Sequence, residues 1–189
     1  MKNLVLRAAL ALALLFLACD VLTVNEFEPT GTQFTINSNI KVLSITGDPR
    51  TNDMGPMTIA FRDSSRTSGT ESAVLPAGLL LRRRNSQTQH LLFLKDQTIT
   101  AQTSPTKTLV GTFCCNKYRN IPDAGDTFDL GPVTDNAELL QIVDLVKNKN
   151  ISGYTDMPLV QRAVQMVTDS TGLTQAYIDS LDALPNATE

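Results

Sequence analysis

The chain has 189 residues, of which 19 are acidic and 16 are basic, and its formal net charge at pH 7 is −3. A mildly acidic surface does not suit sequence-independent nucleic-acid binding, which depends on Lys and Arg contacts to phosphate. Trp is absent and aromatic residues make up only 5% of the chain, so stacking platforms for single strands are also excluded. We therefore expect no nucleic-acid partner.

The first residues have the pattern of an export signal. Lys2 and Arg7 precede an unbroken apolar run over residues 8–18, and Cys19 follows it. A basic start, an apolar stretch of roughly 7–15 residues and a small residue before the cut are typical of a secretory signal. The run is shorter than the about 20 apolar residues that a membrane-spanning helix needs. We therefore predict that residues 1–18 are a signal peptide.

The end of this signal reads Leu15-Phe16-Leu17-Ala18-Cys19. Ala18 before Cys19 resembles the lipobox of bacterial lipoproteins, although Phe16 and Leu17 are bulkier than its usual residues. The resemblance implies that acyl chains such as palmitate are attached to Cys19. It also implies a secreted protein anchored to a membrane of the cell envelope and facing outside the cytoplasm. The resemblance covers the first twenty residues and carries no enzymatic activity.

The mature chain would have 171 residues, 14 basic and 19 acidic, which gives a net charge of −5. This length suffices for one domain with a small appendage. Residues 19–31 contain few large apolar side chains and include Pro29, so we predict a lipidated tether there.

From Thr32 onward, apolar and polar residues alternate with the period of a half-buried strand, and turn-forming residues separate the segments. Short strands at this spacing favour an antiparallel β-sandwich of about six or seven strands over residues 32–118. The candidate strands are 32–37, 40–45, 57–61, 74–81, 91–94, 98–103 and 106–115.

After a loop over 120–132, the apolar period becomes helical. Asp135 and Glu138 have the spacing of a capping box, a second helix is predicted to start near 156–158 with Pro158 in its first turn, and Thr174 is the predicted N-cap of a third. We predict that 119–189 is a loop and helical segment packed on the β-domain, which gives an α+β fold. The predicted apolar faces are Leu139, Ile142, Val143 and Val146, and then Val160, Ala163, Val164 and Val167.

Signatures of catalysis are few. The single histidine, His90, falls in the segment 87–94, which we interpret as a strand that extends the candidate 91–94 and on which we expect it to be exposed, and no Gly-x-Ser-x-Gly elbow is present. One histidine and two remaining cysteines do not suit a structural zinc site. We therefore expect no catalytic set and no cofactor.

Three carboxylates, Asp123, Asp126 and Asp129, recur every third residue of the Asp- and Gly-rich loop. Calcium prefers such oxygen ligands, but the EF-hand pattern is missing and Asp-Gly loops also arise from turn geometry alone. A metal-dependent envelope enzyme is thus a further alternative. The basic run 82–84 either meets lipid headgroups near the anchor or marks a strand end at a solvated edge.

Cys114 and Cys115 are adjacent on the last predicted strand, so their side chains should point to opposite faces. Once Cys19 carries lipid, no third cysteine remains for a disulfide. We predict that Cys115 is a small buried apolar residue beside Phe113 and that Cys114 is a free thiol on the other, non-core face.

Phe113 before Cys114, and the stretch Val-Gln-Arg-Ala-Val at 160–164, form two short motifs. They resemble those of thioester domains in Gram-positive surface adhesins, although Gln165 replaces a final apolar residue and the two motifs lie closer together than in that family. The resemblance implies a covalent bond from Cys114 to Gln161 that would react with amines on a partner surface.

The leading expectation is a lipid-anchored envelope protein that acts as an extracytoplasmic binding or structural module, with a protein or another surface as its possible ligand. The thioester adhesin is the alternative from a different class.

Overall fold

The computed structural model describes residues 26–48 and 57–187. The signal peptide, Cys19 and the first part of the tether lie outside the described residues. The fold is α+β, mainly antiparallel sheet followed by three C-terminal helices, as expected. The elements are β1 (Gly31–Gln33), β2 (Ile40–Gly47), β3 (Met57–Ser65), β4 (Glu71–Leu75), β5 (Leu79–Arg83), β6 (Leu91–Leu92), β7 (Gln97–Ala101), β8 (Thr106–Cys114), β9 (Phe128–Thr134), α1 (Ala137–Val146), α2 (Gly153–Thr168) and α3 (Gln175–Asp182).

Seven strands form one sheet in the order β1-β9-β5-β6-β8-β3-β2, and β4 pairs with β7 in a separate ribbon. The large sheet curls until β2 returns to the chain that enters β9. There Thr46 bridges Thr127, and the main-chain N–H of Gly47 donates to the carbonyl of Asp126 at 3.2 Å. The described strands therefore form a curled half-barrel with a ribbon, and their number exceeds the predicted six or seven.

Two differences explain the higher strand count. The predicted strand 74–81 is divided between β4 and β5, which belong to different sheets, because the chain turns at Gly78, whose φ is +85°. The predicted loop 120–132 contains the start of β9, which pairs with both β1 and β5. The turn was missed because the segment 74–81 contains no polar residue. The strand was missed because Gly131 and Pro132 are uncommon inside strands.

Two apolar clusters lie on opposite faces of the curled sheet. The inner cluster fills the concave face and is covered by the ribbon through Leu75, Ile99 and Ala101. The outer cluster lies between the convex face and the helices. Both predicted apolar helix faces are confirmed, because all eight of their residues are buried in the outer cluster.

The helix starts differ from the predictions in two of three cases. The N-cap of α1 is Asn136, whose Oδ1 accepts from the main-chain N–H groups of Glu138 and Leu139 at 3.0 and 3.1 Å. Asp135 instead accepts a hydrogen bond from Thr30. The helix α2 begins at Gly153, so Pro158 lies inside it, and Thr174 is the N-cap of α3 as predicted.

Residues 26–31, assigned to the tether from sequence, lie against the folded domain. Phe27 packs on the outer cluster, Pro29 is buried, and β1 pairs with the edge of β9. The free edge of β9 and the apolar Phe27 side chain explain this packing. None of the described helices is long and apolar enough to cross a bilayer.

Candidate functional site

The amide of Gln161, on α2, contacts Cys114 at the end of β8. The main-chain N–H of Cys114 donates to Gln161 Oε1 at 2.9 Å, and Gln161 Nε2 donates to the carbonyl of Cys114 at 2.7 Å. The structure therefore brings together the two residues singled out by their motifs. The contact joins the side chain of Gln161 to the main chain of Cys114.

The main-chain N–H and carbonyl of Cys114 point away from β6. Cys114 lies opposite Leu91 of β6. The neighbouring residue Cys115 makes the hydrogen bond to that side of the sheet, with its N–H donating to the carbonyl of His90 at 2.8 Å. On the other side, the described ladder with β3 ends at the pair of Met57 and Thr112. Beyond this pair, the side-chain amide of Gln161 takes the place of a neighbouring strand: its oxygen accepts from the N–H of Cys114 and its nitrogen donates to the carbonyl of Cys114.

Both thiols are buried, but in different clusters. Cys115 packs beside Phe113 in the outer cluster, as predicted, whereas Cys114 belongs to the inner cluster. The expectation of a non-core face for Cys114 is therefore wrong, because the ribbon and helices cover both faces of the sheet. Neither cysteine forms a disulfide in the described part of the chain. Burial raises the pKa of the Cys114 thiol to about 12 and raises the pKa of Cys115 well above its usual value.

A high pKa bears on reactivity, since the thiolate is the nucleophilic form of cysteine. At neutral pH, Cys114 and Cys115 are neutral thiols in apolar surroundings. Attack on an external substrate is disfavoured for both, and attack of Cys114 on the nearby Gln161 amide would require a base to remove the thiol proton.

His90 is only 4% exposed, so the prediction of an exposed histidine is wrong. Its Nδ1 accepts from the main-chain N–H of Arg83 at 3.2 Å, which places the ring proton of the neutral form on Nε2. Burial, together with the positive charge of Arg83, lowers the pKa of His90 to about 4. Within the described residues, Nε2 has no hydrogen-bond partner, and Oε2 of Glu28 lies 4.0 Å away.

A group of charged residues fixes the N-terminal segment beside this histidine. Arg119 donates to both carboxylate oxygens of Glu26, from Nε at 2.9 Å and from Nη2 at 2.8 Å, and Arg83 lies 2.6 Å from the same carboxylate. Hydrogen bonding to Arg119, with a further contribution from Arg83, lowers the pKa of Glu26 against the opposing effect of burial. Asn116 Nδ2 also donates to the carbonyl of Phe27 at 3.2 Å.

Sequence reasoning missed Glu26 and Arg119 as partners. They are 93 positions apart, and neither belongs to a periodic pattern or a short motif. The chain contains no local signal that could pair them.

The three residues of the basic run 82–84 lie in different environments. Arg82 is exposed, and its Nη2 donates to the carbonyl of Pro29 at 3.4 Å. Arg83, the last residue of β5, is almost fully buried and donates to the carbonyl of Thr88 at 2.9 Å. The exposed Arg84 binds Asp129, with Nε donating to both carboxylate oxygens at 3.0 Å. The run thus marks a strand end, as one of the two interpretations stated, but its middle residue is internal.

The three candidate metal ligands have separate partners. Asp126 is buried and accepts from Asn85 Nδ2 at 3.1 Å and from the N–H of Asp123 at 3.0 Å. Asp123 itself accepts from the N–H of Gly125 at 2.7 Å, and Asp129 binds Arg84. Across 26–48 and 57–187, no group of three or more His, Cys, Asp or Glu side chains is arranged to hold a metal.

Two surface grooves have volumes of about 140 and 210 Å³. Both are smaller than the roughly 300 Å³ at which small-molecule sites begin. The first is lined by Leu94, Lys95, Gln97, Gly111, Phe113 and Ile151, and the second lies between β2 and β9. Neither is lined by Cys114, Gln161 or His90.

No protein-family model, curated protein or solved structure matches this chain. Its class is therefore defined by the fold alone: an α+β protein with a curled antiparallel sheet and a C-terminal helical layer.

Proposed function

We propose that the chain is a lipid-anchored cell-envelope protein whose domain acts as an extracytoplasmic binding or structural module. The lipobox-type stretch ending at Cys19 motivates the anchor. The observation that carries the proposal further is the fixation of Glu26 by Arg119 and Arg83, which ties the chain that follows the anchor to the domain.

The distance between anchor and domain is short. Six residues separate Cys19 from Glu26, so even a fully extended chain spans at most about 25 Å between the two Cα atoms. Acyl chains on Cys19 would hold the Glu26 end of the domain near the membrane surface. More than one acyl chain gives stable attachment, whereas a single chain binds only marginally.

The side-chain chemistry supports binding or structure rather than catalysis. His90 is buried and neutral, the thiols of Cys114 and Cys115 are buried, and Asp126 is engaged by its own loop. We infer that the curled sheet and the β4–β7 ribbon serve as the two layers of a sandwich-like body that carries the binding surface.

The anchor is tested by Cys19→Ser, with Cys114→Ser as the matched cysteine control. We expect the wild-type protein and the control to fractionate with the envelope and to carry the mass of acyl chains on the mature chain. The Cys19→Ser protein should lack both properties. A Cys19→Ser protein that stays membrane-bound and identically processed would contradict the proposal.

A second candidate, the covalent adhesin, is motivated by the two motifs and by the contact of the Gln161 amide with the main chain of Cys114. In this reaction the sulfur of Cys114 bonds to the side-chain carbonyl carbon of Gln161. The C–N bond of the amide breaks, and ammonia leaves with the thiol proton. A partner amine would then attack the thioester, form an amide bond and release the Cys114 thiol.

Intact mass decides this candidate. A thioester lowers the mass of the purified mature protein by one ammonia molecule, and methylamine should add to it. Gln161→Ala and Cys114→Ala should each abolish methylamine addition. Full mass in the wild-type protein, with no addition of methylamine, rejects the thioester and leaves the anchor proposal unaffected.

A further inference from the structure

The loop between β8 and β9 presents two exposed apolar side chains. Tyr118 is 70% exposed and Ile121 is 49% exposed. Lys117 lies next to them, with Nζ 5.5 Å from the centroid of the Tyr118 ring. We call residues 117–121 the docking loop. A large aromatic ring this exposed contributes little to the stability of the domain. Exposed apolar patches of this kind mark surfaces that bind another protein or a membrane.

The docking loop lies where the N-terminal segment is fixed. Arg119, the residue after Tyr118, holds Glu26 through two hydrogen bonds, and Asn116 binds the carbonyl of Phe27. The described N-terminal segment therefore begins beside the docking loop.

Hydrogen bonds hold the main chain of the loop. Asn116 adopts a left-handed conformation with a φ of 66°, and its N–H donates to Thr168 Oγ1 at 3.2 Å. The N–H of Lys117 donates to Asp169 at 3.2 Å, and that of Asn120 donates to the carbonyl of Gln87 at 2.8 Å. The exposure of Tyr118 thus belongs to a loop that is attached to α2 and to the segment before β6.

We propose that the docking loop contacts the lipid bilayer, with Tyr118 and Ile121 at the membrane interface and the ammonium of Lys117 at lipid phosphate. This inference rests on the proposed acylation of Cys19. Tyr rings favour the headgroup level because one end is apolar and the other polar. A weak contact is enough, since a short tether gives the loop a high effective concentration at the membrane.

The absence of Trp from the chain makes a specific reporter available. In the mature lipidated protein, Tyr118→Trp places a single Trp in the docking loop. We expect a blue-shifted emission on vesicles of phosphatidylethanolamine and phosphatidylglycerol, and a loss of emission when their acyl chains are brominated. Ile121→Trp provides a second reporter if Tyr118→Trp lowers the melting temperature.

The matched control is Val74→Trp. Val74 is 53% exposed on β4, which leads into β5 at the end away from Arg83. Its emission should be the same with brominated and ordinary lipids, because this site lies away from the docking loop.

Vesicle flotation and intact mass separate the two proposals. If the acylated protein floats with vesicles and Trp at 118 and at 121 keeps the solvent-exposed emission of the Val74→Trp control, membrane docking is overturned and the anchor stands. That result would also be expected if the loop binds a protein partner instead. A protein that carries no acyl chains and does not float overturns both proposals.

Discussion

At the scale of single residues, His90 couples folding to pH. The ring is buried as the neutral form, and its pKa is lowered from 6.5 to about 4. Below pH 6.5 the unfolded chain takes up a proton that the folded chain does not take up until about pH 4. The stabilisation from the neutral ring is therefore complete above pH 6.5 and is lost as the pH falls toward 4.

We predict the size of this effect from the pKa difference. Between pH 7.5 and pH 5, the wild-type protein should lose on the order of 2 kcal/mol more of its free energy of unfolding than His90→Asn. Asn offers an acceptor to the N–H of Arg83 and has no titrating ring. Urea unfolding at both pH values measures the difference, and equal pH dependence in the two proteins would contradict it.

Gln161 is the second residue with a specific expected cost. Gln161→Ala leaves the N–H and the carbonyl of Cys114 without these partners and should lower the free energy of unfolding by about 1–2 kcal/mol. Cys114→Ala keeps both hydrogen bonds, which the main chain makes, so the double variant should lose more stability than either single variant. If the double variant instead loses no more stability than either single variant, the thiol and the amide act as one unit, as a thioester would require.

At the scale of elements, α1 depends on a cap that the sequence pattern placed one residue too early. Three cap-type residues, Thr134, Asp135 and Asn136, follow one another. Only packing decides which of them begins the helix: β9 ends at Thr134, and Asp135 is engaged by Thr30. The buried face of α1 was predictable because its apolar period is local, whereas the cap depends on a neighbouring segment.

The cap gives a prediction for this element. Asn136→Ala should cost about 1 kcal/mol of stability, because two main-chain N–H groups lose their acceptor. Asn136→Asp keeps the acceptor and should stay close to the wild-type value. Asp135→Ala removes only the exposed bond to Thr30, so thermal or urea unfolding should show a much smaller loss of stability than for Asn136→Ala. A larger loss for Asp135→Ala would assign the cap to Asp135.

At the scale of the whole molecule, closure of the curled sheet depends on a close approach at Gly47. A Cβ at this position would lie 2.1 Å from the main-chain oxygen of Asp123, and main chain cannot move aside as a flexible side chain can. Gly47→Ala must therefore push β2 away from the loop that precedes β9 and disturb the bridge between Thr46 and Thr127.

We expect Gly47→Ala to lower the free energy of unfolding by about 1–3 kcal/mol, the usual range for overpacking. Gly69→Ala is the control, since an added Cβ there meets no atom within 4 Å. Its effect should stay within about 0.5 kcal/mol. Denaturant unfolding of both variants checks the closure, and equal stability would show that the approach at Gly47 is not required.

The local patterns in the chain were enough to predict a β-rich domain followed by helices, the buried faces of two helices and the place of Cys115 beside Phe113. Each of these depends on periodicity over a few neighbouring residues. They also support the export and lipidation hypothesis at Cys19, which stays a prediction.

The tertiary packing of the chain decided the rest. It joins β2 to the entrance of β9, covers the two faces of β8 with the ribbon and the helices, and buries His90, although a strand by itself does not reveal how many of its faces are covered. It also brings together residues 47 and 93 positions apart, the pairs of Cys114 with Gln161 and of Glu26 with Arg119. Such pairs have no local signal, because the three-dimensional path of the chain sets their distance.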